Sequence, residues 1–136
     1  MKITICRKAH FNAAHKLFRS DWTDEKNSEV FGKCSNKNFH GHNYELVVKI
    51  LGDINPQTGM VMDLSDLKKI IKTEVEDLLD HKNLNLDIPH FKDVIPTTEN
   101  LAIFIWNRLK DAIDILPNGL FFWDENDKLI ATNKSA

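Results

Sequence analysis

Over residues 2 to 15 apolar and polar side chains alternate, with Ile3, Ile5, Phe11 and Ala13 on one parity. Successive side chains of a strand point to opposite faces, so the pattern predicts one long strand with a buried face and an open face. His15 ends that run and shares the parity of its apolar residues. A second run, His40 to Leu51, predicts a second strand, and Gly52 to Gly59 supplies turn residues before an extended piece at Met60 to Met62. Residues 16 to 38, between the strands, are polar and keep no period beyond a short helix around Asp24 to Val30. They read as a long loop, and long loops in small domains often carry function.

Asp63 is placed to cap a helix in which Leu64, Leu67, Ile71, Val75 and Leu78 recur at helical spacing, with Ile70 and Leu79 widening the stripe. That helix is predicted to end near Asp80-His81. Pro89 and Pro96 bracket an irregular stretch. Thr97 or Thr98 then caps a second helix carrying Leu101, Ile105 and Leu109 with Ala102, Trp106 and Ile113, which Pro117-Asn118-Gly119 stops. Phe121 to Trp123 and Leu129 to Ala131, joined by Glu125-Asn126-Asp127, read as a final hairpin. With 136 residues and neither repeat nor linker, the chain is expected to be a single domain spanning 1–136.

Eighteen basic residues against 20 acidic ones leave a formal net charge of -2, which argues against nucleic acid or an anionic membrane surface as a partner. The first residues lack the apolar stretch of a signal peptide, and nowhere do about 18 apolar residues run together. A cytoplasmic protein with reduced thiols at Cys6 and Cys34 is the default expectation. Cys6, in mid-strand, reads as a small buried hydrophobe.

His40 and His42 flank Gly41 and project from one face of their strand, a two-point grip on a metal. Taken alone, a His-x-His pair is as often a surface feature. If the strand ending at His15 pairs with the strand starting at His40, a third imidazole reaches the same end of the sheet. Three imidazoles suit zinc and leave its fourth position open, the mark of a catalytic site. His10 has the opposite parity and ranks below His15, unless a bulge intervenes.

The segment Phe31-Gly32-Lys33-Cys34-Ser35-Asn36-Lys37-Asn38-Phe39-His40-Gly41-His42-Asn43-Tyr44 resembles the signature of the 6-pyruvoyl-tetrahydropterin synthase family. So do Phe11 to His15, Thr58 to Leu64, Leu79 to Asn85 and Pro96 to Ala102, in the family's order. The resemblance implies an α+β tunnelling fold: a four-stranded antiparallel sheet with two helices packed on one face. Trimers of such chains would close a barrel and pair into homohexamers, with active sites between subunits. It also implies a zinc-dependent lyase acting on 7,8-dihydroneopterin triphosphate.

In the roles that follow from the resemblance, His15, His40 and His42 hold Zn2+ and the Cys34 thiolate abstracts a substrate proton. Asp80 orients His81, which exchanges protons with the site. Thr97, Thr98 and Glu99 touch the pterin, although capping alone accounts for the threonines. An acidic residue near the last strand accepts the pterin's donor edge: Asp124 if the aromatic residues are aligned, with Glu125 as another option and Trp123 in that place if the turn is aligned. Lys16, Arg19 and Lys37 are candidates for the triphosphate. Five residues between Cys34 and His40 resemble the pyruvoyl-forming branch. The alternatives are the 6-carboxy-tetrahydropterin synthases of queuosine biosynthesis and a pterin-binding zinc oligomer without turnover.

Overall fold

The frame of the molecule is a ladder of two long antiparallel strands, β1 (Lys2–His15) and β2 (His40–Asp53), whose register runs from Lys2↔Asp53 to His15↔His40. This computed structural model describes residues 1–113 in full and the backbone of 119–123 and 129–133. Because the ladder has no bulge, odd positions of β1 and even positions of β2 share one face. Phe11, Ala13 and His15 are buried there beside Leu46, Val48 and Ile50. The other face carries exposed Thr4, Lys8 and His10, with Lys8 and Glu45 paired at 3.2 Å.

Cys6 lies on that open face and is exposed. The expectation of a buried thiol is therefore corrected: its even parity sets it opposite Ile5, away from the core. The same parity keeps His10 away from His15, as expected.

β4 (Gly119–Trp123) pairs antiparallel with β2, and β5 (Leu129–Asn133) pairs antiparallel with β4. These four strands form the expected antiparallel sheet. A two-residue strand, β3 (Lys82–Asn83), adds to the outer edge of β1 in parallel, so the full order is β3-β1-β2-β4-β5. Asp124 and Glu125, the candidate pterin anchors, lie outside the described residues.

The polar connection between β1 and β2 holds the short helix α1 (Asp24–Phe31), capped by the Thr23 hydroxyl, and then a 3-10 turn (Gly32–Ser35). Gly32 has φ +59, a left-handed conformation that lets the chain leave α1 abruptly and present Cys34. Met60 to Met62 do not form the expected extended strand. Gly59, at φ +72, closes a turn onto the Asn55 carbonyl at 2.7 Å; Met62 then enters the core and Asp63 caps the next helix at once, leaving no length to pair.

That helix is α2 (Leu64–Ile71), continued by a π-helical turn (Lys72–Glu76) and the last turn α3 (Asp77–Leu79). Arg108 donates to the Glu74 carbonyl at 2.9 Å and pairs with its carboxylate at 2.8 Å, tying the π turn to α5 (Thr98–Ile113). Thr97 caps α5 by accepting from the Asn100 N–H at 3.2 Å. Leu67, Ile71, Val75 and Leu79 on one helix, and Leu101, Ile105, Leu109 and Ile113 on the other, form one buried cluster with the apolar face of β1 and β2. Each such side chain contributes about 1.5–3 kcal/mol by leaving water. The short helix α4 (Leu84–Asp87) and a 3-10 turn (Pro89–Lys92) occupy the irregular stretch before α5.

Candidate metal centre

His15 and His40 are direct cross-strand partners, and His42 stands opposite Ala13 on the same face. The three imidazoles thus rise from one end of the core-facing side of the sheet. Their ring centroids lie 4.5 to 4.7 Å apart, each pair edge to face. The 3-10 turn adds the sulfur of Cys34, and one donor atom from each of His15, Cys34, His40 and His42 lies within 4.8 Å of the others. Cys34 is anchored there by its own backbone: its carbonyl accepts from the Leu17 N–H at 2.7 Å, two residues beyond His15.

The hydrogen bonds fix the ring roles. His15 Nδ1 donates to the Pro96 carbonyl at 2.8 Å, so the lone pair of this ring is on Nε2, which faces His40 Nε2 at 3.0 Å. Two ring nitrogens this close require a proton or a cation between them. Desolvation by burial, with the neighbouring imidazoles, lowers the pKa of His15 against the opposing pull of Pro96; burial and then His42 lower that of His40. Both are thereby kept in the neutral form that ligates metals. His40 Nδ1 is buried with no hydrogen-bond partner among the described residues. Nitrogen and sulfur donors converging in this way fit a zinc-type ion.

Asp80 and His81 stand together where the chain leaves α3. Asp80 Oδ2 pairs with His81 Nδ1 at 2.9 Å, while Oδ1 accepts the Asn12 N–H at 2.8 Å. The Asn12 bond first and His81 second hold the Asp80 carboxyl below its ordinary range. His81 has φ 59, uncommon for a residue with a side chain, and its N–H donates to the Asn12 carbonyl at 2.6 Å. His81 and His42 line one cavity of about 530 Å³, with Asn12, Gly41 and Asn83 on its wall.

Thr97 follows the carbonyl that holds His15, and Thr98 and Glu99 are exposed on the first turn of α5. Of the triphosphate candidates, Arg19 is engaged by both Asp21 oxygens at 2.9 and 2.7 Å, Lys16 lies over the Phe18 ring at 4.5 Å, and Lys37 is exposed. Two participants escaped the reading of the sequence. The Pro96 carbonyl orients His15 from 81 positions away, which no local pattern reveals. Tyr44 extends the His40, His42 parity, a signal that was present; its hydroxyl lies 3.4 Å from His15 Nδ1 and its ring stacks on Phe11 at 5.0 Å.

Residues 4–132 match the family model of 6-pyruvoyl tetrahydropterin synthase. The chain belongs to this family. Homo sapiens 6-pyruvoyl tetrahydrobiopterin synthase is 48% identical over 118 residues, covering 87% of this chain and 79% of the human one. A solved Caenorhabditis elegans 6-pyruvoyl tetrahydropterin synthase aligns with TM-score 0.82 at 37% identity, over 100% of this chain and 97% of that chain. A more distant relative, the dihydroneopterin monophosphate aldolase of Pyrococcus furiosus, is 33% identical over 129 residues, with 93% of this chain and 94% of that one covered. The 6-pyruvoyl tetrahydropterin synthase signature thus coincides in this chain with the end of the sheet where the imidazoles and the thiol meet.

Proposed function

We propose that this chain, as one domain spanning 1–136, is a zinc-dependent 6-pyruvoyl-tetrahydropterin synthase that converts 7,8-dihydroneopterin triphosphate to 6-pyruvoyl-tetrahydropterin with release of triphosphate. The observation that carries the reading is the convergence of His15, His40, His42 and Cys34 within 4.8 Å in a chain 48% identical to 6-pyruvoyl tetrahydrobiopterin synthases. Zinc held by the three imidazoles would acidify the substrate's side-chain hydroxyls and stabilise the oxyanion that follows proton loss.

Cys34 removes the proton as its thiolate. An ordinary thiol titrates near about 8.5, and a cation beside it favours the charged form. Asp80 fixes the Nδ1–H of His81, leaving Nε2 to take and return protons. Thr97, Thr98 and Glu99 border the pterin, and Asp124 accepts its donor edge as a carboxylate.

The working form in this reading is a homohexamer of two trimers with the sites between subunits. Its support is the outer edge of β1: from Lys2 to Phe11 it has no strand partner among the described residues, a template that a second copy can cover. A cytoplasmic location belongs to the same reading; among the described residues no helix is long and apolar enough to cross a membrane.

The test is to incubate the zinc-loaded protein with dihydroneopterin triphosphate and identify products by mass spectrometry. 6-Pyruvoyl-tetrahydropterin and triphosphate are expected. Acetaldehyde with 6-carboxy-tetrahydropterin would replace this reading by the queuosine-type synthase, and binding without triphosphate release by a pterin-binding oligomer. The Pyrococcus furiosus relative gives a specific reason to look also for aldol cleavage of the side chain.

A further inference from the structure

The geometry points to Lys82 as the residue that recognises the substrate's phosphates, with the side-chain amides of Asn12, Asn43 and Asn83 as its neutral partners. The inference rests on the reading above and deepens it. It places the phosphorylated end of the substrate and names what tells a triphosphate from an unphosphorylated pterin.

The phosphates hang from the end of the side chain whose hydroxyls meet the metal, so the space that takes them must be continuous with the metal centre. The cavity of about 530 Å³ meets that condition, because His42 stands on its wall. Its size lies in the range usual for small-molecule sites. Lys82 stands on the same wall, directly after His81 in the chain. The basic residues Lys16, Arg19 and Lys37 of the β1–β2 connection do not line this cavity, and Arg19 is held by both Asp21 oxygens at 2.9 and 2.7 Å.

The backbone under Lys82 is fixed and its ammonium is uncommitted. β3 sets Lys82 beside Ala13, and the preceding His81 N–H donates to the Asn12 carbonyl at 2.6 Å. The side chain itself is exposed and makes neither an ion pair nor a hydrogen bond among the described residues.

The amides around it supply further donors. Asn12 and Asn43 are direct cross-strand partners on the open face, which sets their side chains next to each other, and neither amide is engaged among the described residues. Asn83 accepts the Asn85 and Leu86 N–H groups through Oδ1 at 3.1 and 3.2 Å, which leaves its Nδ2 free to donate.

The carboxylates at hand are already occupied. Asp87 accepts the Asn83 N–H at 2.8 Å, and Asp80 holds His81 at 2.9 Å and the Asn12 N–H at 2.8 Å. Phosphate oxygens only accept hydrogen bonds, so one free ammonium among free amide N–H groups complements them.

The experiment uses the full zinc-loaded chain carrying Cys34→Ala, so that substrate binds without turning over. Calorimetry then compares 7,8-dihydroneopterin triphosphate with 7,8-dihydroneopterin, which lacks the phosphates. The triphosphate should bind at least about tenfold more tightly, by a margin that shrinks as salt is added. Adding Lys82→Gln should weaken the triphosphate about tenfold and leave dihydroneopterin unchanged, while Lys82→Arg restores most of the affinity. With Cys34 intact, Lys82→Gln should raise KM about tenfold and keep kcat within about twofold. Unaltered zinc content and melting temperature serve as the folding control. Equal weakening of both pterins by Lys82→Gln, triphosphate affinity that this variant leaves intact, or a fall in kcat at unchanged KM overturns the inference and leaves the functional reading standing. Failure of both pterins to bind the zinc-loaded Cys34→Ala protein overturns that reading, and the inference with it.

Discussion

His15 and His40 face each other across the last rung of the β1–β2 ladder, with Nε2 atoms 3.0 Å apart. Antiparallel strands alternate buried and open faces strictly, so a single register fixes which of the six histidines can meet. A slip of one residue would turn His15 outward, bring His10 of the opposite parity inward five residues away, and leave His40 and His42 without the ring of His15 beside them. The convergence of the three imidazoles is in this sense a consequence of sheet register, which the unbroken pairing down to Lys2↔Asp53 holds in place.

The protonation of this pair sets a pH dependence. Burial lowers the pKa of both rings below the ordinary 6.5, so below that value the unfolded chain binds more protons than the folded one. Their contribution to stability is present above 6.5 and is lost as pH falls from 6.5 toward the folded values. The melting temperature of metal-free protein should fall between about pH 7.5 and about pH 5.5, a window that lies above the carboxylates. Zinc-loaded protein should fall more steeply, because protonation also releases the ion. A metal-free melting temperature that stays level or rises on acidification would contradict the burial assigned to the pair.

Removing donors should separate holding the ion from using it. His42→Ala leaves two imidazoles and is expected to lose both stoichiometric zinc and turnover. Cys34→Ala keeps three imidazoles, so it should retain zinc by metal analysis while kcat falls about 10²–10⁴-fold. Full zinc occupancy in His42→Ala would remove that residue from the ligand set.

Asp80 carries two loads, the His81 imidazole at 2.9 Å and the Asn12 N–H at 2.8 Å. In Asp80→Asn the amide oxygen can still accept from Asn12, so the fold should survive, but the charge that orients His81 is gone. The expected result is a kcat about 10–100-fold lower with KM nearly unchanged and a displaced pH profile. An unchanged pH–rate profile would show that the pair is structural.

Much of this arrangement was legible in the residues. The alternation of Ile3, Ile5, Phe11 and Ala13 gave β1 its face, the parity of His15, His40 and His42 gave the metal face, and the apolar spacing of Leu67, Ile71 and Val75 gave the helix above it. Chemistry made by partners distant in sequence was not. The Pro96 carbonyl reaches His15 only because Asn100 donates to the Ile95 carbonyl at 2.9 Å and holds that turn ahead of α5. Cys6 was misread because its residue type was weighed above its parity. The extended piece at Met60 to Met62 was misread because β propensity was credited where a core anchor and a helix cap follow one another directly.

Tyr44 offers the finest-grained check, because it is the chain's single tyrosine and its titration is unambiguous. Burial, and secondarily the charge of Cys34, push its phenol up to about 12. Ultraviolet absorbance of the folded protein should show phenolate appearing near 12 and not near the ordinary value of about 10. Cys34→Ala should relax the shift only slightly, since burial is the larger cause. The hydroxyl's contact with His15 Nδ1, at 3.4 Å, is much weaker than the 2.8 Å bond from the same nitrogen to Pro96. Tyr44→Phe should therefore keep zinc affinity within about threefold, a change well under 1 kcal/mol. A tenfold loss measured by competition with a chelator would mean that the phenol, and not the proline carbonyl, sets the orientation of His15.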